Sequence, residues 1–404
     1  MKRVLFVIET LYGGGAERVL SNLTTHFPEE WHIDILLNDK SLVGYPYRGN
    51  ILSLSRPEKK SVVYFIRNII VRTYYLNKLK RENGYDACVS FLDSANISNV
   101  LSGKRHCRTI VSIHTDIVGK GASLYSKVVS KPLAKFLFRN ADKIITVSEE
   151  LEWEMIHRLK MPGNRIRTIV NGCDCEWIKK MMKNIPQTGM KVGGSFMANK
   201  KIIVTVGRLN VCKGQWHLVR AFMDVVREEP AAVLFIVGDG ELKSYMASLI
   251  KACNLEKNVV LIGYTDNPFW YLSKADVFVL PSLYEGYPNV LAEAVCCGIA
   301  CIATDVHSGS REILAPQLSI VGERVRDISE EEFGVLVPVC SGKMYKGNET
   351  LEPAEQKMAR AITGLLHNDK KREHYRQMSI KRSMDLGMQD IVNQWIDVIM
   401  GKDI

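Results

Sequence analysis

Short aliphatic and β-branched runs alternate with stretches of helical periodicity along the whole 404-residue chain, and this alternation constrains the fold more than any other feature. It predicts parallel sheets covered by helices on both faces. The predicted strands fall into two sets of five. The first comprises Arg3–Glu9, Trp31–Leu37, Ala87–Phe91, Thr109–Ile113 and Lys143–Val147; the second comprises Lys201–Val206, Ala232–Val237, Val259–Ile262, Val277–Leu280 and Ala300–Ala303. Between them, Asn184 to Ser195 is rich in glycine and polar residues and lacks periodicity, as a linker does. The expected organisation is therefore two Rossmann-like, doubly wound domains, residues 1–185 and 199–387, joined by a linker at 186–198. Ligands of such folds sit in a cleft at the carboxyl ends of the strands, so functional residues are expected just after strands.

No uninterrupted apolar stretch approaches the roughly 18 to 20 residues needed to cross a bilayer. The best candidate, Val62 to Val71, contains Arg67 and Asn68. The apolar N-terminus is broken by Glu9 and lacks a small-residue cleavage site, so it reads as a first strand and not as a signal peptide. Ten cysteines without a C-x-x-C pair are expected to be buried thiols of a reducing cytosol, and Cys173 and Cys175 have no neighbouring His to complete a metal site. Residues 1–190 carry 29 Lys and Arg against 18 Asp and Glu, whereas the remainder carries 25 against 26. A basic excess confined to the first half points to an anionic partner there: a membrane surface, a phosphate-bearing lipid or nucleic acid.

Three segments carry recognisable chemistry. Gly13-Gly14-Gly15 follows the first strand and precedes a helical pattern, leaving backbone N–H groups open to a phosphate or sugar oxygen; it is not the G-x-G-x-x-G of dinucleotide sites. After the first strand of the second set, Arg208 offers a planar fork and Lys213 a point charge, a pair able to clamp a diphosphate. After Leu280 a turn carries Glu285 and Gly286, Pro288 opens a helix from about Asn289, and Glu293 lies on its second turn. A phosphate at that helix N-terminus would leave Glu293 within reach of a ribose and Glu285 near a transferred sugar.

These segments, with Ser112-Ile113-His114, Val170-Asn171-Gly172, Val237-Gly-Asp-Gly-Glu241 and Glu285-x7-Glu293, span nearly the whole chain. Together they resemble the family-4 retaining glycosyltransferases of the GT-B superfamily. The resemblance implies that the first domain takes the acceptor, that the second holds a nucleotide diphosphate sugar, and that a C-terminal helix, about 388–404, crosses back to the first domain. It matches Arg208 and Lys213 to the diphosphate ligands, Glu293 to the ribose ligand and Glu285 to the residue facing the donor sugar. Backbone groups of Gly286, Tyr287, Pro288, Asn289 and Val290 would help hold phosphate and sugar, and His114 matches a residue beside the reacting carbon. The segment Pro288 to Glu293 with Thr304 to Glu312 resembles enzymes of surface-polysaccharide synthesis that use UDP-linked hexose or N-acetylhexosamine. No two aspartates stand two residues apart, so the Asp-x-Asp metal motif of other glycosyltransferases is missing and the expectation is no cofactor and no metal.

Residues 56–81 mix eight basic residues with aromatic and aliphatic ones, and Lys127, Lys131, Lys135 and Arg139 recur every fourth position. Such segments suit an anionic bilayer, which suggests a cytoplasmic enzyme bound peripherally to the inner membrane face, with a glycan or lipid-linked acceptor. The rivals are a nucleotide-sugar epimerase of the same fold, an inactive sugar-nucleotide-binding scaffold, and a basic nucleic-acid-binding protein. The last lacks any helix-turn-helix, zinc or RNA-recognition signature. Residues 340–354 are longer than the usual link to the next helix in such enzymes; they either fold over the nucleotide side of the cleft or form a surface loop, and the loop is the preferred reading.

Overall fold

The computed structural model describes residues 1–55, 62–114, 138–192, 199–347 and 349–402. It divides into two compact units, Met1–Gly172 with Gly387–Ile404, and Cys173–Leu386. The division falls earlier than the 186–198 linker. Two helices, Cys175–Met181 and Gln187–Val192, occupy the start of the second unit.

In the first unit the strands are β1 (Arg3–Val7), β2 (His32–Leu37), β3 (Asn50–Ser53), β4 (Ala87–Phe91), β5 (Arg108–Ile113), β6 (Lys143–Thr146) and β7 (Ile166–Thr168), with helices α1 (Gly15–His26), α2 (Val62–Asn83), α3 (Asp93–Leu101) and α4 (Glu149–His157). They form one sheet in the order β3-β2-β1-β4-β5-β6-β7, every pair parallel. Successive residues of β1 serve different cores, because side chains alternate across a pleated strand. Val4 and Phe6 pack with Val19, Leu20 and Leu23 of α1, while Leu5 and Val7 pack with Leu76 of α2 and Ala95 of α3. Two buried faces explain the continuous apolar runs that made these strands legible.

The second unit holds α5 (Cys175–Met181), α6 (Gln187–Val192), β8 (Lys201–Val206), α7 (Gln215–Glu228), β9 (Ala232–Val237), α8 (Lys243–Ala252), β10 (Val259–Gly263), α9 (Phe269–Leu272), β11 (Val277–Leu280), α10 (Asn289–Cys296), β12 (Ala300–Thr304), α11 (Ser310–Leu314), β13 (Ser329–Glu330), β14 (Val335–Val337), α12 (Pro353–Leu366) and α13 (Asp369–Ser383). Its sheet runs β10-β9-β8-β11-β12-β14-β13, parallel except for the antiparallel β13–β14 pair. The last helix, α14 (Met388–Met400), belongs to the first unit. Its apolar stripe, Met388, Ile391, Val392, Trp395, Val398 and Ile399, recurs at three- and four-residue spacing and packs into the β1–α1 core. Gly401, at φ 69°, ends it in the left-handed conformation.

Cys175 and Cys296, expected as thiols, are joined as a disulfide between α5 and α10, their Cα atoms 5.4 Å apart. Residues 340–347 and 349–352 run irregularly along the surface, as a surface loop does, and are fastened to the body by buried donors. Arg220 of α7, fully buried, donates to the carbonyls of Lys346, Glu349 and Thr350 at 2.9–3.1 Å and stacks on Tyr345. Trp216 donates to the carbonyl of Lys343.

Candidate active site

The second sheet reverses direction between β8 and β11: the chain leaves β8 toward β9 on one side and leaves β11 toward β12 on the other. The crevice above such a reversal is where open α/β sheets bind ligands. Two loops meet there. One runs Gly207–Gly214, the other Pro281–Pro288, and the Leu283 and Tyr284 amides both donate to the Cys212 carbonyl, at 2.8 and 3.4 Å. Gly214, at φ 60°, brings the first loop so close to the Pro281 carbonyl that a Cβ would collide with it. Asn210 caps the short 3-10 turn before Lys213 by accepting from the Lys213 amide at 3.2 Å.

At this junction Lys213 Nζ lies 2.6 Å from Glu285 Oε1, and the buried Ser282 donates to the same oxygen at 2.6 Å. Ser282 is held in turn, because Thr304 at the end of β12 donates to its carbonyl at 2.6 Å. The sequence reading named Lys213 and Glu285 but missed Ser282. The signal available was a serine three residues before a turn glutamate, a spacing at which hydroxyls brace turns. Arg208 is exposed and its guanidinium has no partner among the described residues; only its carbonyl is fixed, accepting from Gln215 Nε2 at 3.2 Å and the Asn210 amide at 2.9 Å. The structure thus pairs Lys213 with Glu285 and leaves Arg208 apart from both.

Beyond Glu285, Gly286 is partly exposed, while Tyr287 and Pro288 are buried, so those two can offer a ligand little beyond backbone. Burial pushes the Tyr287 phenol up from its ordinary value. Asn289, Val290 and Glu293, on the first two turns of α10, are partly exposed. A buttress stands behind this turn. Ser308 donates to the Gly286 carbonyl, and Gly309 packs against Pro288 where any side chain would clash. Arg311 grips the fully buried Asp305 through two bonds of 2.7 Å.

In the first unit Gly14 caps α1 without a side-chain hydrogen bond, and Gly13 has φ 74°. The carboxylate of Glu17 folds back over Gly14, in the place a Cβ would occupy. An anion is therefore already seated beside Gly13–Gly15. His114 follows β5; its Nε2 is 2.9 Å from the hydroxyl of the buried Ser112, and its ring packs on Phe91 at 5.4 Å between centroids. Burial pulls the His114 imidazole down to about 3, so it is neutral at physiological pH.

A different group, His217, Cys340 and Glu352, brings three donor atoms within 4.8 Å of one another. Both ring nitrogens of His217 are engaged: Nδ1 is 2.8 Å from Glu355, and Nε2 accepts from the Gly342 amide at 3.2 Å. With no nitrogen lone pair left over, the group does not fit a metal ion and reads as part of the fastening of 340–354.

Each unit thus carries a doubly wound sheet with a reversal of strand order, and the second bears a lysine–glutamate pair over it, the arrangement expected of a GT-B glycosyltransferase. Residues 13–177 match the family model Glycosyltransferase Family 4, and residues 192–327 match Glycosyl transferases group 1. The chain belongs to the family-4 glycosyltransferases. It is 27% identical over 99% of its length to the whole of the Campylobacter jejuni N-acetylgalactosamine-N,N'-diacetylbacillosaminyl-diphospho-undecaprenol 4-alpha-N-acetylgalactosaminyltransferase. Over 55% of its length and 60% of the relative's, it is 30% identical to the Escherichia coli UDP-Gal:alpha-D-GlcNAc-diphosphoundecaprenol alpha-1,3-galactosyltransferase. Among solved structures, Anabaena HepE in complex with UDP and glucose superposes with a TM-score of 0.74 at 16% identity, covering 99% of this chain and all of that one. Sucrose-phosphate synthase from Thermosynechococcus elongatus gives 0.74 at 18%, covering 98% of each chain.

Proposed function

We propose that this glycosyltransferase moves a hexose or N-acetylhexosamine from a UDP-linked donor to a hydroxyl of a lipid-diphosphate-linked glycan, with retention and without a metal. The observation that carries the reading is the 2.6 Å Lys213–Glu285 pair at the β8/β11 reversal. Cleaving a glycosyl–diphosphate bond places negative charge on the leaving phosphate and positive character on the ring. Lys213, Arg208 and the N-terminal end of α10 supply positive potential for the first, and the Glu285 carboxylate, braced by Ser282, faces the second. Lys213 and Arg208, each a separate positive charge, do the work that a metal does elsewhere. The acceptor hydroxyl attacks on the face the diphosphate leaves, and the departing phosphate oxygen takes its proton; Glu293 holds the ribose. The named relatives acting on undecaprenol-linked glycans support the acceptor class.

Helix α2 supports attachment to the inner face of the cytoplasmic membrane. Val63, Ile66, Ile70 and Tyr74 form a stripe along it, 52–77% exposed, beside exposed Arg67, Lys78 and Arg81. Two of its basic residues turn inward instead, since Arg72 and Lys80 are each 1% exposed. Residues 56–61 and Lys127, Lys131 and Lys135 lie outside the described residues. Among the described residues no helix is long and apolar enough to cross a membrane.

The test is a panel of UDP-hexoses and UDP-N-acetylhexosamines, with UDP release followed in the presence and absence of EDTA and product configuration read by NMR. Turnover that needs added metal, or a product of inverted configuration, would overturn the mechanism. Flotation on phosphatidylglycerol and phosphatidylcholine vesicles tests attachment: Ile70→Asp with Tyr74→Asp should abolish binding to the former, and equal binding to both lipids would refute it.

A further inference from the structure

Residues 340–347 play no part in the chemistry proposed above, yet they leave the second sheet beside the loops that carry Lys213 and Glu285. They follow β14, which lies parallel to β12, β11 and β8, so they start from the same carboxyl edge as Gly207–Gly214 and Pro281–Pro288. They then run along α7, which begins directly after Gly214 and supplies Trp216, His217 and Arg220 from its first two turns. Trp216 Nε1 donates to the Lys343 carbonyl at 2.9 Å, and the Gly342 amide donates to His217 Nε2 at 3.2 Å. His217 is fully buried, and Glu355 fixes its other ring nitrogen at 2.8 Å. Glu352 reaches back to accept from the Ser341 amide and the Tyr345 hydroxyl, both at 2.8 Å.

The segment held in this way presses on Leu283. Gly342 has φ 78°, and a Cβ there would stand 3.0 Å from Leu283 Cδ1. Gly214 packs on the same side chain, since its Cβ would come within 3.4 Å of Leu283 Cγ. Leu283 is 6% exposed and shares one core with Trp216 and Cys340. Its chain neighbour Ser282 braces Glu285, and its amide donates to the carbonyl of Cys212, the residue before Lys213. The Lys213–Glu285 pair joins loops from two different strands, and Leu283 is where both loops meet the 340–347 segment.

We propose that residues 340–347 position the donor site: Gly342, fixed by His217, seats Leu283, and Leu283 sets the alignment of Lys213 with Glu285. This rests on the glycosyl-transfer reading. Gly342, His217 and Trp216 touch no reacting atom in it and are positioning residues. A misplacement of about 1 Å caused by a change away from the chemistry can cost about a hundred-fold in rate, and Leu283 stands two residues from Glu285.

The experiment uses the full-length enzyme, with calorimetric titration by UDP, turnover of the preferred UDP-sugar and the thermal unfolding midpoint as readouts. Gly342→Ala should weaken UDP binding about tenfold and lower kcat about ten- to a hundred-fold. Lys213→Met, expected to cost wild type about a hundred-fold in UDP affinity, should cost Gly342→Ala about tenfold or less, because the ammonium group is already out of line. Leu283→Ala opens the same contact from its other partner and keeps the test open if Gly342→Ala fails to fold. The double variant should bind UDP no more weakly than Leu283→Ala, which makes room for the added methyl group. Val225→Ala leaves a cavity in the same core near the far end of α7; it should lower the unfolding midpoint and leave UDP affinity and kcat unchanged. UDP affinity equal to wild type in both Gly342→Ala and Leu283→Ala would overturn the proposal. So would an undiminished cost of Lys213→Met in those variants, or a loss of UDP affinity in Val225→Ala as large as theirs. Wild type that neither binds UDP nor consumes any UDP-sugar would remove the glycosyl-transfer reading itself, and this inference with it.

Discussion

Replacing Lys213 by methionine keeps most of the side-chain stem and removes the charge. Two unit charges about 4 Å apart attract by about 4 kcal/mol at an effective dielectric constant near 20. The Lys213–Glu285 pair approaches that regime, its side chains being 23% and 9% exposed. A donor diphosphate therefore has to compete with Glu285 for the ammonium group. Losing the charge-assisted bond to phosphate costs about 1.5–3 kcal/mol, and a Glu285 no longer neutralised adds repulsion of similar sign. A total near 3 kcal/mol corresponds to about a hundred-fold weaker UDP binding.

The sign of the partner variant is the sharper check. Glu285→Gln releases Lys213, so it should tighten UDP binding severalfold while turnover falls by orders of magnitude. Adding Glu285→Gln to Lys213→Met should recover about tenfold in UDP affinity and nothing in turnover. Calorimetric titration with UDP and initial rates on the preferred donor measure both. The reasoning is refuted if Lys213→Met binds UDP like wild type, or if Glu285→Gln weakens UDP binding and the two losses simply add.

Glu293→Gln should abolish the preference for UDP over 2′,3′-dideoxy-UDP and cost about ten- to a hundred-fold in UDP affinity, measured by competition binding. Arg220→Met leaves the buried Glu355 carboxylate without the guanidinium 2.9 Å away and strips three carbonyls of their donor, a loss of about 3–5 kcal/mol that calorimetry should register as a lowered unfolding midpoint. His114 has a folded value of about 3, below the ordinary 6.5 of the unfolded chain. The unfolded state therefore takes up a proton first as pH falls, so stability is whole above 6.5 and drains between 6.5 and 3 at up to about 1.4 kcal/mol per unit. Urea unfolding at pH 7 and pH 5 should lose about 2 kcal/mol more in wild type than in His114→Gln.

The fold class was legible because strands buried on both faces must be apolar throughout, and all ten predicted strands are present. What escaped were elements specified from outside themselves. β3, β7, β13 and β14 are two to four residues long and owe their conformation to the strands they pair with. Arg72 and Lys80 sit in a basic run that reads as surface, yet both are buried by partners 19 to 34 residues away: Asn38, Ser94, Asn99, Gly103 and Thr109. The 340–354 segment has no periodicity of its own; its order comes from Arg220 and Trp216, more than a hundred residues earlier. Within the site, the sequence named residues whose charge stands out in a turn, Lys213 and Glu285, and passed over Ser282, a neutral residue whose role depends on where Glu285 points.

The two sheets carry the same reversal but opposite chemistry above it, and this separates two quantities that the net charge merges. The first half has the basic excess, yet Glu9 follows β1, Glu17 lies on the first turn of α1 and Asp93 begins α3, while on α2 Arg67, Lys78 and Arg81 are exposed and Arg72 and Lys80 turn inward to Ser94 and Thr109. The second half is nearly neutral, yet its reversal carries Lys213 and Arg208. Charge summed over a domain governs attraction to surfaces at long range, whereas recognition is decided by the few groups at the strand ends. A basic domain can therefore be drawn to an anionic membrane while the groups nearest its strand ends are carboxylates, and a nearly neutral domain can still place cations where a diphosphate would bind. Raising ionic strength should accordingly release the protein from anionic vesicles well before it weakens UDP binding, because the exposed α2 charges are screened within about 8–10 Å and the largely buried Lys213–Glu285 pair is screened much less.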